Sequence, residues 1–240
     1  MKYNSLIIIP TYNEAENIEA VIKKVIDLED KNDILVIDDN SPDGTSKIVE
    51  NQKKIHNDRV FLIKRKKKSG LGSAYKTGFK WALENNYSYI FEMDADMSHD
   101  PNEIKNLKIE LIQNKCDVVV GSRYIEGVSV VNWPLTRIFL SYSANLYVRI
   151  ITGMPIKDAT SGFVGYTKNA LNSIELSKVK FNGYAFQIEM KFKLFLKKLR
   201  IVEIPIIFTD RKFGKSKLNS SIIGEAVLGV ISMKFKSFFN

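Results

Sequence analysis

The 240-residue chain has a single cysteine, Cys116. No intramolecular disulfide can form, which excludes the cystine-stapled secreted folds and fits a reducing compartment. Histidine is nearly as scarce. His56 and His99 stand far apart, and neither belongs to a zinc-ligand spacing. No apolar run approaches the roughly 20 residues of a membrane span. The longest candidate, 222–231, is interrupted by Glu225. The N-terminal MKYNSLIIIP is apolar only over 6–9, too short for a signal peptide. A nucleophile elbow GxSxG is missing, so covalent serine chemistry has no support. The stretch SGLGSAYKTG (69–78) fails as a nucleotide loop. Tyr75 takes the last glycine position of GxGxxG, and no Gly-Lys-Ser/Thr follows for a Walker loop. What remains there is a glycine-rich turn into a helix, a structural role. No linker rich in Pro, Gly or Ser, no low-complexity tract and no repeat divides the chain.

What is present is ordinary for a globular domain: 45% hydrophobic and 26% charged residues, enough for a sizeable core. The net charge of +9 favours an anionic partner: nucleic acid, anionic lipid or a phosphorylated small molecule. Short apolar runs at 6–9, 34–37, 60–63, 89–93 and 118–120 have the compact, β-branched-rich composition of buried strands. Helix-periodic segments at 14–28, 43–55, 71–83 and 101–112 alternate with them. Strand–helix alternation predicts βαβ units and a mostly parallel sheet, an α/β fold. After Gly121 the rhythm changes. The expectation is a loop over 122–134, helices at about 135–151 and 184–198, a strand at 201–208 and a basic loop at 209–219. An amphipathic helix follows, with Ile223, Val227, Val230, Ile231, Phe235 and Phe238 roughly on one face. One catalytic domain over 1–219 with an amphipathic C-terminal helix over 220–240, open to a membrane interface or to packing on the domain or a partner, is the simplest division.

Open parallel sheets bind ligands beyond the C-terminal ends of their strands. Those ends read PTYNE (10–14), DDNSPDGT (38–45), DADMSHDP (94–101) and GSRY (121–124). Three carry acids and one an arginine. Asp94 and Asp96 would project to one side of an extended chain and repel unless a cation lies near. An oxygen-only pair suits Mg²⁺ or Mn²⁺ holding a diphosphate. Asp100 before Pro101 accounts for capping the next helix without them. Asp38-Asp39 offers a carboxylate for a base or ribose, or else an Asx-type turn. Arg123, Arg137, Arg211, Lys215 and Lys217 could form a cationic rim for phosphates. The run 64–68 reads as solvated surface. His99, beside the acidic motif, is placed to support it, and Cys116 reads as a packed apolar residue. A nucleic-acid module would use the +9 charge, yet Asp39, Asp94 and Asp96 on one rim would repel its phosphates. A silent scaffold that merely keeps the fold is the other rival.

Taken in order, IIPTYNE, VIDDNSPDGT, GLGSAYKTGF, EMDADMSHDP, VVGSRY, DATSGF and RKFGKSKL resemble the family 2 inverting glycosyltransferases of GT-A fold, closest to the dolichyl-phosphate mannose synthase type. The resemblance spans nearly the whole chain. It implies that Pro10, Tyr12, Glu14, Ile37 and Asp39 hold a nucleotide, and that Asp94 and Asp96 hold Mg²⁺ or Mn²⁺, with Ala95 and Met97 lining that site. It implies Arg123, Arg137 and Ser141 at an acceptor phosphate, Arg211 and Lys217 on a loop closing over phosphates, and Asp158 near the acceptor or sugar. The expected reaction moves a sugar, mannose from GDP-mannose first and a UDP-sugar such as UDP-glucose second, onto a polyprenyl phosphate. The expected setting is cytoplasmic and peripheral on the cytoplasmic face of a membrane, with room for a small membrane-anchoring subunit and no nucleic acid. Two positions depart from the pattern. Ser98 stands where many relatives carry Gln, and Val164 where many carry Arg after SGF. The C-terminal transmembrane helices that many relatives add are not expected here.

Overall fold

The computed structural model describes residues 4–29, 31–56, 58–113, 115–211 and 220–238. The first half follows the expected alternation: β1 (Ser5–Thr11), α1 (Ile18–Ile26), β2 (Asp33–Asp38), α2 (Thr45–Ile55), β3 (Val60–Lys64), α3 (Leu71–Glu84), β4 (Tyr89–Glu92), α4 (Glu103–Ile112) and β5 (Val118–Ser122). The second half adds β6 (Val130–Val131), α5 (Leu135–Thr152), β7 (Val164–Thr167), α6 (Lys168–Asn172), α7 (Tyr184–Leu196), β8 (Ile201–Pro205), β9 (Phe208–Thr209) and α8 (Ser220–Lys236).

Seven strands form one sheet in the order β3-β2-β1-β4-β7-β5-β8. All pairings are parallel except those of β7, which runs against both β4 and β5. Side chains alternate across the sheet as the pleat requires. Leu6, Ile8, Leu35, Ile37, Val118 and Val120 meet α3, α6 and α7 on one face. Ile7, Ile9, Ile34, Val36, Phe91 and Val119 meet α1, α2 and α4 on the other. Full burial of each such side chain contributes about 1.5–3 kcal/mol. A third apolar cluster joins α5, α7 and α8 through Val148, Ile188, Phe192, Val230 and Met233.

Several expectations shift. Strand 201–208 is interrupted after Pro205, and its last part, β9, pairs instead with β6, inside the stretch expected to be loop. Helix 14–28 starts only at Ile18, because the backbone of Asn13 to Ala15 is tied to the loop after β2: Asn13 N–H donates to Ser41 Oγ, Glu14 N–H to Thr45 Oγ1 and Ala15 N–H to Asp43 Oδ2, each at 3.0 Å. The apolar face expected on the C-terminal helix splits. Val230 packs inward, while Val227, Ile231 and Phe235 are exposed.

β7 fits between β4 and β5 because Gly165 sits in register between Phe91 and Val119. A Cβ there would lie 2.7 Å from Phe91 and 2.9 Å from Val119, closer than real contacts allow. Both neighbours are buried and cannot withdraw cheaply. Gly165→Ala is therefore expected to lower stability by about 1–3 kcal/mol, read as a lower urea midpoint at unchanged slope.

Candidate active site

Register brings three parallel strand ends level. Pro10 pairs with Ile37, and Ile8 with Glu92. Because β7 is antiparallel, the segment 158–163 that feeds it enters at this same edge. The rim therefore runs from Asp39, past Tyr12, Asp94 and Asp96, to Ser161, Arg123 and Arg211.

Asp38 and Asp39 divide the two roles left open for them. Asp38, fully buried, accepts from Thr11 Oγ1 at 2.9 Å and from Ser41 Oγ and Ser46 Oγ at 2.6 Å. Burial opposes its charge, but these hydroxyls and the Ser41 amide outweigh burial and hold the carboxyl below its ordinary value. It is the turn acid. Asp39 instead pairs with Arg65 Nε and accepts from Ser69 N–H at 3.0 Å. Arg65 also donates to Ser73 Oγ and Gly70 O. The basic run 64–68 is thus not all solvated surface. Lys68 stands 4.1 Å from the centre of the Tyr12 ring. The Glu14 carboxylate accepts from Asn17 Nδ2. Ile37 is completely buried, so only its backbone can reach a ligand.

The Asp94–Asp96 stretch is not extended. The strand ends at Glu92, and Ala95 to Met97 turn, with Met97 at φ 61°. The two carboxylates consequently face different neighbours. Asp96, buried, lies 3.2 Å from Arg211 Nη2 and accepts from Ser98 N–H at 3.1 Å. Asp94 is partly open, and both its oxygens face Gly162. His99 Nδ1 accepts from the Asp94 N–H at 3.3 Å while its ring stacks on Phe163. Burial pushes the His99 pKa down to about 4, so the ring is neutral at pH 7 and its 4.0 Å approach to Asp94 is no ion pair. Ala95 and Ser98 are buried and Met97 is half-buried. The Ser98 hydroxyl has no hydrogen-bond partner among the described residues. Two oxygen ligands, a guanidinium already drawn to one of them and an orphaned buried hydroxyl beside them fit a hard divalent cation that takes its other ligands from water and phosphate. No group of three or more metal-binding side chains occurs among the described residues.

Across the rim, Arg123 is fully engaged with Asp158: Nε donates at 2.7 Å, Nη2 at 2.7 Å and the backbone N–H at 3.0 Å. Thr160 Oγ1 accepts at 2.8 Å. Asp158 is wholly buried and so serves Arg123 rather than lining a pocket itself. Arg137 lies 3.9 Å above the Trp133 ring and pairs with Asp210 at 2.9 Å. Ser141 faces the Tyr124 hydroxyl. Lys215 and Lys217 lie outside the described residues.

Sequence reasoning missed the polar cluster beneath Asp94. Gln187 Nε2 donates to Glu92, Tyr166 OH donates to Glu92 at 3.2 Å, and Lys191 Nζ donates to Ser161 O at 2.8 Å and to Gln187 Oε1 at 3.4 Å. Burial drives Glu92 up and Lys191 down, while their mutual attraction opposes both shifts. A glutamate ending an apolar strand was the available signal.

The C-terminal edge of a mostly parallel sheet thus gathers paired acids opposite several arginines. Residues 6–175 match the model for Glycosyl transferase family 2, and the chain belongs to that family. It is 42% identical over 226 residues to the polyprenol monophosphomannose synthase of Mycolicibacterium smegmatis, covering 94% of this chain and 85% of that one. It is 40% identical over 225 residues to the undecaprenyl-phosphate mannosyltransferase of Micrococcus luteus, covering 94% and 91%. The dolichol-phosphate mannosyltransferase of Pyrococcus furiosus is 39% identical, covering 91% of this chain and 60% of that one. Among solved structures, glucosyl-3-phosphoglycerate synthase from Mycobacterium tuberculosis, in complex with Mn²⁺, UDP and glucosyl-3-phosphoglycerate, superposes with a TM-score of 0.68. At 16% identity, covering 98% of this chain and 80% of that one, it supports the fold alone.

The Arg123–Asp158 pair yields a stability prediction. Arg123 overcomes the burial of Asp158 and holds its carboxyl below 3.8. The pair therefore contributes fully above the unfolded-chain value and is lost as pH falls below it. Asp158→Asn should cost about 3–5 kcal/mol near neutrality by stranding a buried guanidinium. The difference from wild type should shrink as urea titrations move to acid pH.

Proposed function

We propose that the enzyme transfers a hexose, mannose from GDP-mannose in first place, to a polyprenyl phosphate with inversion at the anomeric carbon. The relatives above, named for this class of reaction, support the reading. The observation that carries it is the rim itself: Asp94 and Asp96, with Arg211 drawn to Asp96, set level with the Arg123–Arg137 side.

On this reading Pro10, Tyr12, Glu14, Asp39 and the Ile37 backbone hold the nucleotide. Asp94 and Asp96, lined by Ala95 and Met97, hold Mg²⁺ or Mn²⁺. A divalent ion bound there supplies Lewis-acid stabilisation to the leaving diphosphate. Arg211, together with Lys217, meets the charge that develops on that diphosphate. The acceptor phosphate is received by Arg137 and Ser141, with Arg123 acting as a rigid post because Asp158 fixes it. An acceptor phosphate oxygen forms the new bond to the anomeric carbon. The bond to the diphosphate breaks, and its electron pair leaves with the nucleotide. No proton has to move, so no activated base is required. That matches the placing of His99, which is buried and whose Nδ1 already accepts from the Asp94 N–H.

Incubating the protein with Mn²⁺, a polyprenyl phosphate and separately radiolabelled GDP-mannose and UDP-glucose, then extracting the lipid, tests the proposal. Label from GDP-mannose supports it, label from UDP-glucose alone replaces the donor, and unlabelled lipid overturns it. Asp96→Ala should lose transfer by about 100-fold or more, the scale of one electrostatic contact to a developing charge, while its circular dichroism stays that of wild type.

The lipid acceptor also gives a reason for α5. Leu135, Phe139, Leu146 and Ile150 recur along one side of it and are exposed, Phe139 at 74%. On α8, Leu228, Ile231 and Phe235 are exposed as well. The two helices are joined where Tyr147 OH donates to Val227 O at 2.9 Å. No described helix is long and apolar enough to cross a membrane. An apolar face flanked by Arg149, Lys234 and Lys236 suits the surface of an anionic bilayer. Phe139→Ser with Ile150→Ser should weaken cosedimentation with vesicles containing anionic lipid while leaving the melting temperature unchanged. Undiminished binding would remove α5 from that role.

A further inference from the structure

We infer that two exposed lysines of the turn after β3, Lys66 and Lys67, steer the nucleoside-diphosphate donor onto the rim and so set its rate of capture. The inference rests on the proposed transfer and adds the route by which the donor arrives.

The net charge of the chain has one source. Residues 47–80 carry eleven Lys and Arg against two acids, an excess of nine, and nine is also the net charge of all 240 residues. Over the rest of the chain the two signs cancel. This stretch comprises most of α2, β3, the turn 65–70 and most of α3, and β3 is the outer strand of the sheet. The excess therefore lies along one edge. Glu50, an acid within it, is already taken up. It pairs with Lys64 at 2.6 Å, and Lys64, then Lys54 and Lys53, hold its carboxyl below the ordinary value.

At the C-terminal end of β3 the charged edge is fixed to the rim. Arg65 N–H donates to Asp38 O at 2.8 Å, and Ser69 N–H to Asp39 Oδ2 at 3.0 Å. The Arg65 guanidinium closes the turn onto Gly70 O at 3.2 Å. Lys68 stands over Tyr12. Lys66 and Lys67 lie between these anchors, exposed and without an ion-pair partner among the described residues. Two uncompensated ammonium groups are thus held beside the positions assigned to the nucleotide, on a turn tied at both ends.

The cations deeper in the rim do not serve at a distance. Arg65 is paired with Asp39, Arg211 with Asp96 and Arg137 with Asp210. Opposite charges in contact largely cancel outside the pair, whereas an unpaired ammonium keeps its full field. Salt screens that field over about 8 Å, so only cations near the mouth act on an arriving diphosphate. An attractive path of this kind raises association rates by about 10-fold or more. Lys53 and Lys54 provide the contrast. They are exposed too, but lie in the last turn of α2, before β3 begins. The five residues of β3 separate them from the rim, roughly 15 Å at a strand's rise per residue. That is about two screening lengths.

Stopped-flow mixing with GDP bearing a fluorophore on its β-phosphate, at constant Mn²⁺, tests the route. Lys66→Gln with Lys67→Gln should slow association about tenfold at low ionic strength, leave dissociation unchanged and flatten the fall of the association rate with added salt. Lys53→Gln with Lys54→Gln should associate nearly as wild type does. Equal association rates in wild type and Lys66→Gln with Lys67→Gln overturn the inference and leave the transferase reading standing. Equal slowing in the two double variants also overturns it, because net charge rather than place would then govern capture. A change confined to dissociation overturns it as well, since the lysines would then hold the bound nucleotide. If wild type binds neither this probe nor its UDP counterpart, both readings fall together.

Discussion

A carboxylate at the end of a buried strand loses water on several sides, and that loss sets the terms for this molecule. Asp39, Glu92 and Asp96 stand at or just beyond strand ends, Asp158 and Asp210 stand near them, and each of the five is met by a cation from a different element. Asp39 takes Arg65 from the turn after β3. Asp96 takes Arg211 from the segment after β9. Asp158 takes Arg123 from the end of β5. Asp210 takes Arg137 from the first turn of α5. Glu92 is balanced beneath them by Lys191 from α7. Pairing of this kind is not efficient stabilisation, since packed apolar groups of the same volume often do as well. Its value lies in holding charged groups at fixed places around an opening, which is what a phosphate-bearing substrate requires.

The pairs are not equivalent. Arg123 and Asp158 are both buried and locked by three hydrogen bonds, so a ligand cannot replace either partner cheaply. Arg211 makes one longer contact to Asp96 at 3.2 Å and is itself about a quarter exposed. A ligand bearing phosphate can draw such an arginine away at small cost. The rim thus combines a fixed side, built on β5 and the segment 158–163, with a yielding side where Arg211 meets Asp96. Substrate charge can exchange partners on one side while the other keeps its geometry.

The parallel half of the sheet was legible because buried strands are short, apolar and bounded by turn formers, and helices announce themselves by period. All five early strands appear within two residues of their expected ends. β7 escaped because VGYT is four residues long and sits among small and polar neighbours, without a run to mark it. β6 and β9, two residues each, exist only through their pairing with one another. The same contrast holds at the site. Asp94, Asp96, Asp39 and Arg123 could be picked out because strand ends point to them. Gln187 and Lys191 could not, because they lie on a helix whose sequence, YAFQIEMKFKLFL, looks like a simple packing element. Their role depends on which strand end the helix crosses, and that is a tertiary fact.

The antiparallel strand explains how the two halves of the site come to face each other. A parallel strand in the β7 position would deliver its preceding segment to the opposite edge of the sheet, far from Asp94. Reversing one strand delivers Asp158, Thr160, Ser161 and Gly162 to the ligand edge before the strand begins. From there Asp158 grips Arg123 of β5, Ser161 Oγ donates to Gly121 O at 2.6 Å, and Gly162 borders Asp94 beyond β4. One short segment therefore touches the strand ends on both of its sides. The distance between the acidic and basic sides of the rim is set by the width of a single strand, so a change in the packing of β7 would shift both sides together.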